Sequence, residues 1–129
     1  MEEKMMIYVS GKMGQKRLSR KTVRKFFEAA ERLRSYGWEV TDPACKEFQA
    51  DLRAEMRNTE KDWKRVSDKP FDWYGFALLY AMHALEVCDA IYMLRDWKDS
   101  PGATAEHAFA TATGKRILYE EEKDLDISK

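Results

Sequence analysis

The fold is decided by the stretch Cys88-Asp89-Ala90-Ile91-Tyr92-Met93-Leu94-Arg95-Asp96-Trp97-Lys98-Asp99-Ser100-Pro101-Gly102-Ala103-Thr104-Ala105-Glu106-His107-Ala108. Ala90 to Leu94 is a short, unbroken apolar run, which reads as a buried strand. Beyond a polar loop the chain becomes alanine-rich. Ser100 stands where a helix N-cap is wanted, and Pro101 at the first helical position, where its missing N–H costs nothing. Gly114 then ends the helix, and Arg116-Ile117-Leu118-Tyr119 supplies another strand. Strand, capped helix, strand is the unit of a parallel sheet.

The same unit is legible upstream. Met5 to Ser10 is an apolar run closed by Ser10-Gly11, after the polar lead-in Met1 to Lys4. Val23, Phe26, Phe27, Ala30 and Leu33 recur at three- and four-residue steps, so they share one helix face. Ser19 or Thr22 can cap that helix, and Gly37 sits where a left-handed residue ends one. Trp38 to Thr41 is a second strand, halted by Asp42-Pro43. A charge-dense segment of about 44–70 reads as one or two surface helices and a loop inserted into a core of about 5–120. Trp73 to Val87 is apolar nearly all round, which predicts a well-buried helix. The alternation predicts an α/β fold with a four- to five-stranded parallel sheet and helices on both faces. In such sheets ligands bind beyond the carboxyl ends of the strands. Ser10-Gly11-Lys12, Asp42-Pro43 and Arg95 through Gly102 are expected at that edge.

Composition narrows the function. With 129 residues the chain holds one domain, and 44% hydrophobic residues suffice for a core. Lys+Arg and Asp+Glu are 23 each, so the balance gives no indication of a nucleic-acid partner. Trp73 to Leu85, the longest uncharged stretch, is shorter than the ~20 residues of a membrane span. No basic-then-apolar leader opens the chain, and a cytoplasmic domain is expected. Cys45 and Cys88 read as free thiols, Cys88 buried. His83 and His107 lie far apart with no ligand spacing, so no metal site is expected. No cofactor is expected either. Nine basic residues fall between Lys12 and Arg34 against Glu28 and Glu31, whereas the tail from Glu120 is acidic. A solvated helix face accounts for the basic cluster; an electropositive mouth for a phosphate is the functional alternative.

One carboxylate stands out. Glu106 follows the Ser100 cap in the second helical turn, on the face of Gly102 one turn earlier, and helical side chains lean back toward the N-terminus. There it would meet the strand edge, free amides and the positive end of the helix dipole. A carboxylate beside an anion pocket suits attack on a sugar carbon whose phosphate is held nearby. Spacing alone favours a plain solvated glutamate. Trp97 is the best-placed of the four tryptophans for stacking on a base, with Trp38, Trp63 and Trp73 assigned to the core or to subunit contact.

In order along the chain, Ile7-Tyr8-Val9-Ser10-Gly11, Gly37-Trp38-Glu39-Val40-Thr41-Asp42-Pro43, Cys88 to Leu94, Trp97 and Ser100 to Ala108 resemble the nucleoside 2-deoxyribosyltransferase superfamily, closest to a short branch often found in phages and bacteria. The resemblance runs from about Met6 to Tyr119. It implies a flavodoxin-like three-layer sandwich and cleavage of the N-glycosidic bond of a nucleoside or nucleotide. Glu106 matches the nucleophilic glutamate, which forms a covalent glycosyl-enzyme as in retaining glycosidases. A second base would then make the enzyme a transferase, and water a hydrolase. Ser100 matches a phosphate-contacting serine of the deoxynucleoside 5′-monophosphate hydrolase branch. Tyr8, Ser10 and Gly11 match the turn lining the sugar or phosphate pocket. The superfamily's active sites lie at subunit boundaries, which implies a homodimer or higher oligomer in which Phe76, Leu79 and Tyr80 face a second copy; in an isolated α/β domain the same face would simply cover the sheet. Its aspartate on the buried helix is replaced here by Ala81, with Asp72, Asp99 or His83 as substitutes to consider; His83 on an apolar helix reads more readily as a core residue. The alternative to an enzyme is a nucleotide-binding or sensing protein that kept the pocket and lost the acid.

Overall fold

The computed structural model describes residues 4–13 and 17–121, so part of the polar lead-in, part of the basic cluster and most of the acidic tail lie outside the described residues. The chain folds as β1 (Met6–Ser10), α1 (Arg20–Ser35), β2 (Glu39–Thr41), α2 (Lys46–Val66), α3 (Trp73–Glu86), β3 (Ala90–Met93), a 3₁₀ turn (Trp97–Asp99), α4 (Pro101–Ala112) and β4 (Arg116–Tyr119). All strand pairs are parallel, in the order β2-β1-β3-β4. This is an α/β fold of the Rossmann or flavodoxin-like sandwich type, with four strands.

Strand side chains alternate between faces, and the two cores follow that period. Ile7 and Val9 of β1, with Ala90 and Tyr92 of β3, join Phe26, Ala29 and Leu33 of α1 on one side. Tyr8, Ile91 and Met93 join Ala81 and Leu85 of α3 and Ala103 and Ala110 of α4 on the other. Ser19 caps α1 by accepting a hydrogen bond from the Thr22 amide, and Gly37 leaves that helix at φ 93°. The expected one or two helices after Pro43 are a single helix, α2, capped by the Cys45 sulfur and burying only Leu52. Asp89 marks strand entry as a structural residue: its carboxylate accepts a hydrogen bond from the Met6 amide at 2.8 Å. Both cysteines are free, Cys88 buried.

One expectation fails on α3. Its apolar sequence predicted deep burial, yet only Ala81 and Leu85 are buried, and Leu79 is 66% exposed. One side of α3 covers the sheet and another meets α2, where Phe48 packs edge-on to Tyr80 at 5.3 Å. The remainder has no third layer over it among the described residues.

Connections diverge where β1 sends the chain to β2 on one side while β3 lies on the other, which opens a crevice at the strands' carboxyl ends. The two loops bordering it are tied together. The Asp96 carboxylate accepts hydrogen bonds from the Lys12 amide at 3.0 Å and from the Lys25 ammonium at 2.6 Å, and Lys25 also donates to the Lys12 carbonyl. Burial works to raise the Asp96 pKa, but the hydrogen bonds from Lys25 and Lys12 and the Lys25 charge outweigh it and hold the carboxyl below its usual range.

Candidate functional site

β1 and α4 build the floor of the crevice. Tyr8 and Ser10 are two residues apart on β1 and therefore project from the same face, the one covered by α3 and α4. On α4, Ala103, Glu106 and Ala110 form the buried stripe, at three- and four-residue spacing. The small alanines flanking Glu106 let the helix lie close to the strands. Its carboxylate then reaches both β1 hydroxyls: Tyr8 donates to Oε2 and Ser10 to Oε1, each at 2.7 Å.

Glu106 is only 5% exposed, and Tyr8 is fully buried. Removing a carboxylate from water disfavours its charged form. Burial accordingly raises the Glu106 pKa to about 7, against the opposing pull of the Ser10 and Tyr8 hydrogen bonds. Burial first, then the Glu106 charge, pushes the Tyr8 phenol well above its ordinary value, so it remains a donor at neutral pH. The result is a carboxylate held by two hydroxyls and poised between its charged and neutral forms near pH 7. Such a group can attack a carbon electrophile when ionised or donate a proton when neutral.

Above this floor lies a cleft of about 90 Å³. Gly11, Ser100, Gly102 and Glu106 line its polar side; Trp73, Tyr74, Ala77, Leu78 and Ala81 of α3, with Phe48 and Leu52 of α2, form a largely apolar wall, to which Gln49 adds an amide. Ser100 is buried, and its hydroxyl oxygen accepts a hydrogen bond from the Ala103 amide at 3.1 Å, capping α4. A methyl group on Gly102 would come within 2.9 Å of the Tyr74 hydroxyl oxygen, so the glycine keeps the cleft open. On Gly11 it would meet Leu94 Cδ1 at 2.7 Å and Cβ at 2.9 Å, so that turn is packed too closely for a side chain.

Of the expected site residues, Gly11, Ser100, Gly102 and Glu106 line the cleft, with Glu106 buried rather than solvated. Tyr8 and Ser10, expected to touch substrate, are buried and absent from the lining, and they meet the site only through their hydrogen bonds to Glu106. Trp97 stands apart from the cleft lining: its ring stacks on His107 at 4.3 Å and packs toward Tyr119. The reason is local, because the 3₁₀ turn sets Trp97 against His107 of α4 and Tyr119 of β4. Trp73, assigned beforehand to the core or a subunit contact, lines the cleft instead. Trp38 is indeed core, at 3% exposure. Tyr74 and Gln49 are cleft residues that sequence reasoning missed. Tyr74 lay inside an apolar helix and Gln49 inside a charge-dense one, so neither carried a distinguishing pattern.

None of the substitutes for the missing acid lines the cleft. Asp72 caps α3 through the Gly75 amide at 2.8 Å, Asp99 is exposed on the 3₁₀ turn, and His83 is exposed rather than in the core. Ala81 itself lines the cleft, and Glu106 is the only Asp, Glu or His among the described lining residues. The described residues contain no cluster of His, Cys, Asp and Glu fit to hold a metal, and no helix long and apolar enough to cross a membrane.

Residues 5–119 match the model of the family described as Domain of unknown function (DUF4406), and the chain belongs to that family. No curated protein matches the chain.

Proposed function

We propose that this member of the DUF4406 family is a cytoplasmic, nucleoside 2-deoxyribosyltransferase-like enzyme that cleaves or transfers the N-glycosidic bond of a deoxynucleotide or nucleoside. The observation that carries the proposal is the Glu106 carboxylate, buried at the crevice floor between the hydroxyls of Tyr8 and Ser10. In the proposed reaction the ionised carboxylate attacks the anomeric carbon. A carbon–oxygen bond forms to Glu106, the carbon–nitrogen bond breaks, and its electron pair leaves on the base, which takes up a proton. Water or a second base then attacks the same carbon and returns the carboxylate. Gly102 leaves space for the sugar, beside the Gly11 turn. Ser100, whose hydroxyl hydrogen is not consumed by its capping role, donates to the first phosphate beside the α4 amides. The apolar wall with Trp73 and Tyr74 meets the base, in place of Trp97.

Chromatographic assay of free base from a panel of nucleosides and 5′-nucleotides tests this directly. Release is expected from at least one deoxynucleotide, abolished by Glu106→Ala, with a glycosyl adduct on Glu106 in denaturing mass spectrometry. Ala81 motivates a second reading. With no other acid in the described lining, the leaving base must take its proton from water or from a hydroxyl such as that of Tyr74, and loss of a general acid costs on the order of 10²–10⁴ in rate. A protein that binds and senses nucleotides without turning them over fits that lining. It is distinguished by a rise in melting temperature with nucleotides in the absence of base release.

A further inference from the structure

Beside the cleft runs a second and larger depression, of about 680 Å³, between α2 and the segment leading into α1. The two share Leu18 and Gln49 in their linings, so they lie side by side. Their chemistry differs. The cleft wall is mostly apolar, whereas the groove carries Arg17, Lys46 and Arg53 and, among the described residues, no carboxylate in its lining. Lys46, Gln49 and Arg53 lie three and four residues apart and so share one face of α2. None of the three cations forms an ion pair with a described residue. Across seven residues of helix the two α2 cations are separated by ~10 Å, a span that one phosphate does not fill. The cleft at Glu106 is in turn smaller than the ~300–1,000 Å³ that whole ligands occupy, so much of a nucleotide must lie outside it.

We infer that the groove seats a polyphosphate chain, and that the substrate reaching Glu106 is a nucleoside 5′-di- or triphosphate rather than a nucleoside or monophosphate. The inference rests on the glycosyl-transfer reading of Glu106 for the sugar's position, and adds the substrate class. The first phosphate stays at Ser100, and the second and third extend past Gln49 toward Lys46, Arg53 and Arg17. A long nucleic-acid strand is the other polyanion that such a groove admits. The even balance of 23 basic and 23 acidic residues argues for the small ligand, since the positive charge is concentrated between Lys12 and Arg34 and at this groove and is offset elsewhere, not spread along a track as a strand needs.

Calorimetric titration with deoxynucleoside 5′-mono-, di- and triphosphates, inorganic tripolyphosphate and a ten-nucleotide single strand tests the inference. Wild-type protein should bind the triphosphate about tenfold or more tightly than the monophosphate, as expected for added charge-assisted hydrogen bonds. The gain should shrink with added salt. Both α2 cations are exposed, so the Lys46→Ala/Arg53→Ala variant should keep its fold, checked by its melting curve, and lose the gain from phosphate chain length. Arg53→Lys should restore part of the gain. Equal affinity for mono- and triphosphate, a gain that survives the double substitution, or tighter binding of the strand than of the triphosphate would each overturn the inference. Its failure is separable from that of the glycosyl reading. Phosphate-length dependence without base release removes only the enzyme, and base release without length dependence removes only the groove.

Discussion

Glu106 shows how strongly one burial alters a residue's chemistry. Its usual value near 4.5 rises to about 7 because the charged form loses more hydration than Ser10 and Tyr8 give back. The proton is therefore held more tightly in the folded chain than in the unfolded one. Between roughly pH 4.5 and 7 the folded state carries the extra proton, so stability falls as pH rises through that window and levels off above it, by about 3 kcal/mol for this group. Glu106→Gln cannot titrate, and its urea midpoint should exceed that of the parent protein at pH 8, with the difference vanishing near pH 4. Turnover has the opposite dependence, because only the ionised carboxylate attacks: the rate should climb to a plateau with a midpoint near pH 7. Tyr8→Phe removes a hydrogen bond that favours the charged form. Bonds to charged groups are worth ~1.5–3 kcal/mol, so the midpoint of the pH–rate profile should move upward by about one to two pH units. An unchanged midpoint in that variant would show that another group governs the profile.

Elements position that residue by how closely they approach one another. α4 lies near the sheet because Ala103 and Ala110 bracket Glu106, and the Ser100 cap with Pro101 fixes where its first turn begins. The two glycines at the crevice serve different purposes, and alanine at each should separate them. At Gly11 the new methyl meets the Leu94 side chain at its root as well as its tip, so neither can swing away, and a loss of about 1–3 kcal/mol in thermal or chemical denaturation is expected. At Gly102 it meets only the end of the Tyr74 side chain, which can yield, while alanine favours the helix by up to about 1 kcal/mol. Gly102→Ala should thus fold as well as the parent or better, yet bind nucleotides poorly as Tyr74 is displaced into the cleft. The strands and three of the helices follow from apolar runs, periodicity and caps. The burial of α3 does not, because an all-apolar helix has no stripe to say which side faces the sheet, and Leu79 ends in solvent.

For the molecule as a whole, parallel strands in the order β2-β1-β3-β4 bring together segments from the two ends of the chain. Tyr8 and Glu106 are 98 residues apart in sequence and 2.7 Å apart in space. The uncovered side of α3 bears on the homo-oligomer that the resemblance implies: Leu79 stands open to a second copy, whereas Tyr80, expected there with Phe76 and Leu79, packs on Phe48 of α2 instead. Light scattering should give a mass above that of one chain, and Leu79→Glu should return it to one chain with the circular dichroism of the folded parent, since this side chain is 66% exposed in the single chain. A monomeric parent protein would remove the assembly from the proposal.

Local patterns settled much by themselves, because periodicity, caps and turn residues act over a few positions: an α/β alternation, a carboxylate one turn into a capped helix, and a pair of β1 residues on one face. Whether those pieces met was beyond them. Spacing alone favours a solvated Glu106, and Trp97, three residues past the Ala90 to Leu94 run, is the tryptophan best placed for a base. Packing reversed both, since burial, a hydrogen bond across 98 residues and the turn that rotates Trp97 onto His107 depend on how close the layers come and not on any neighbour in sequence.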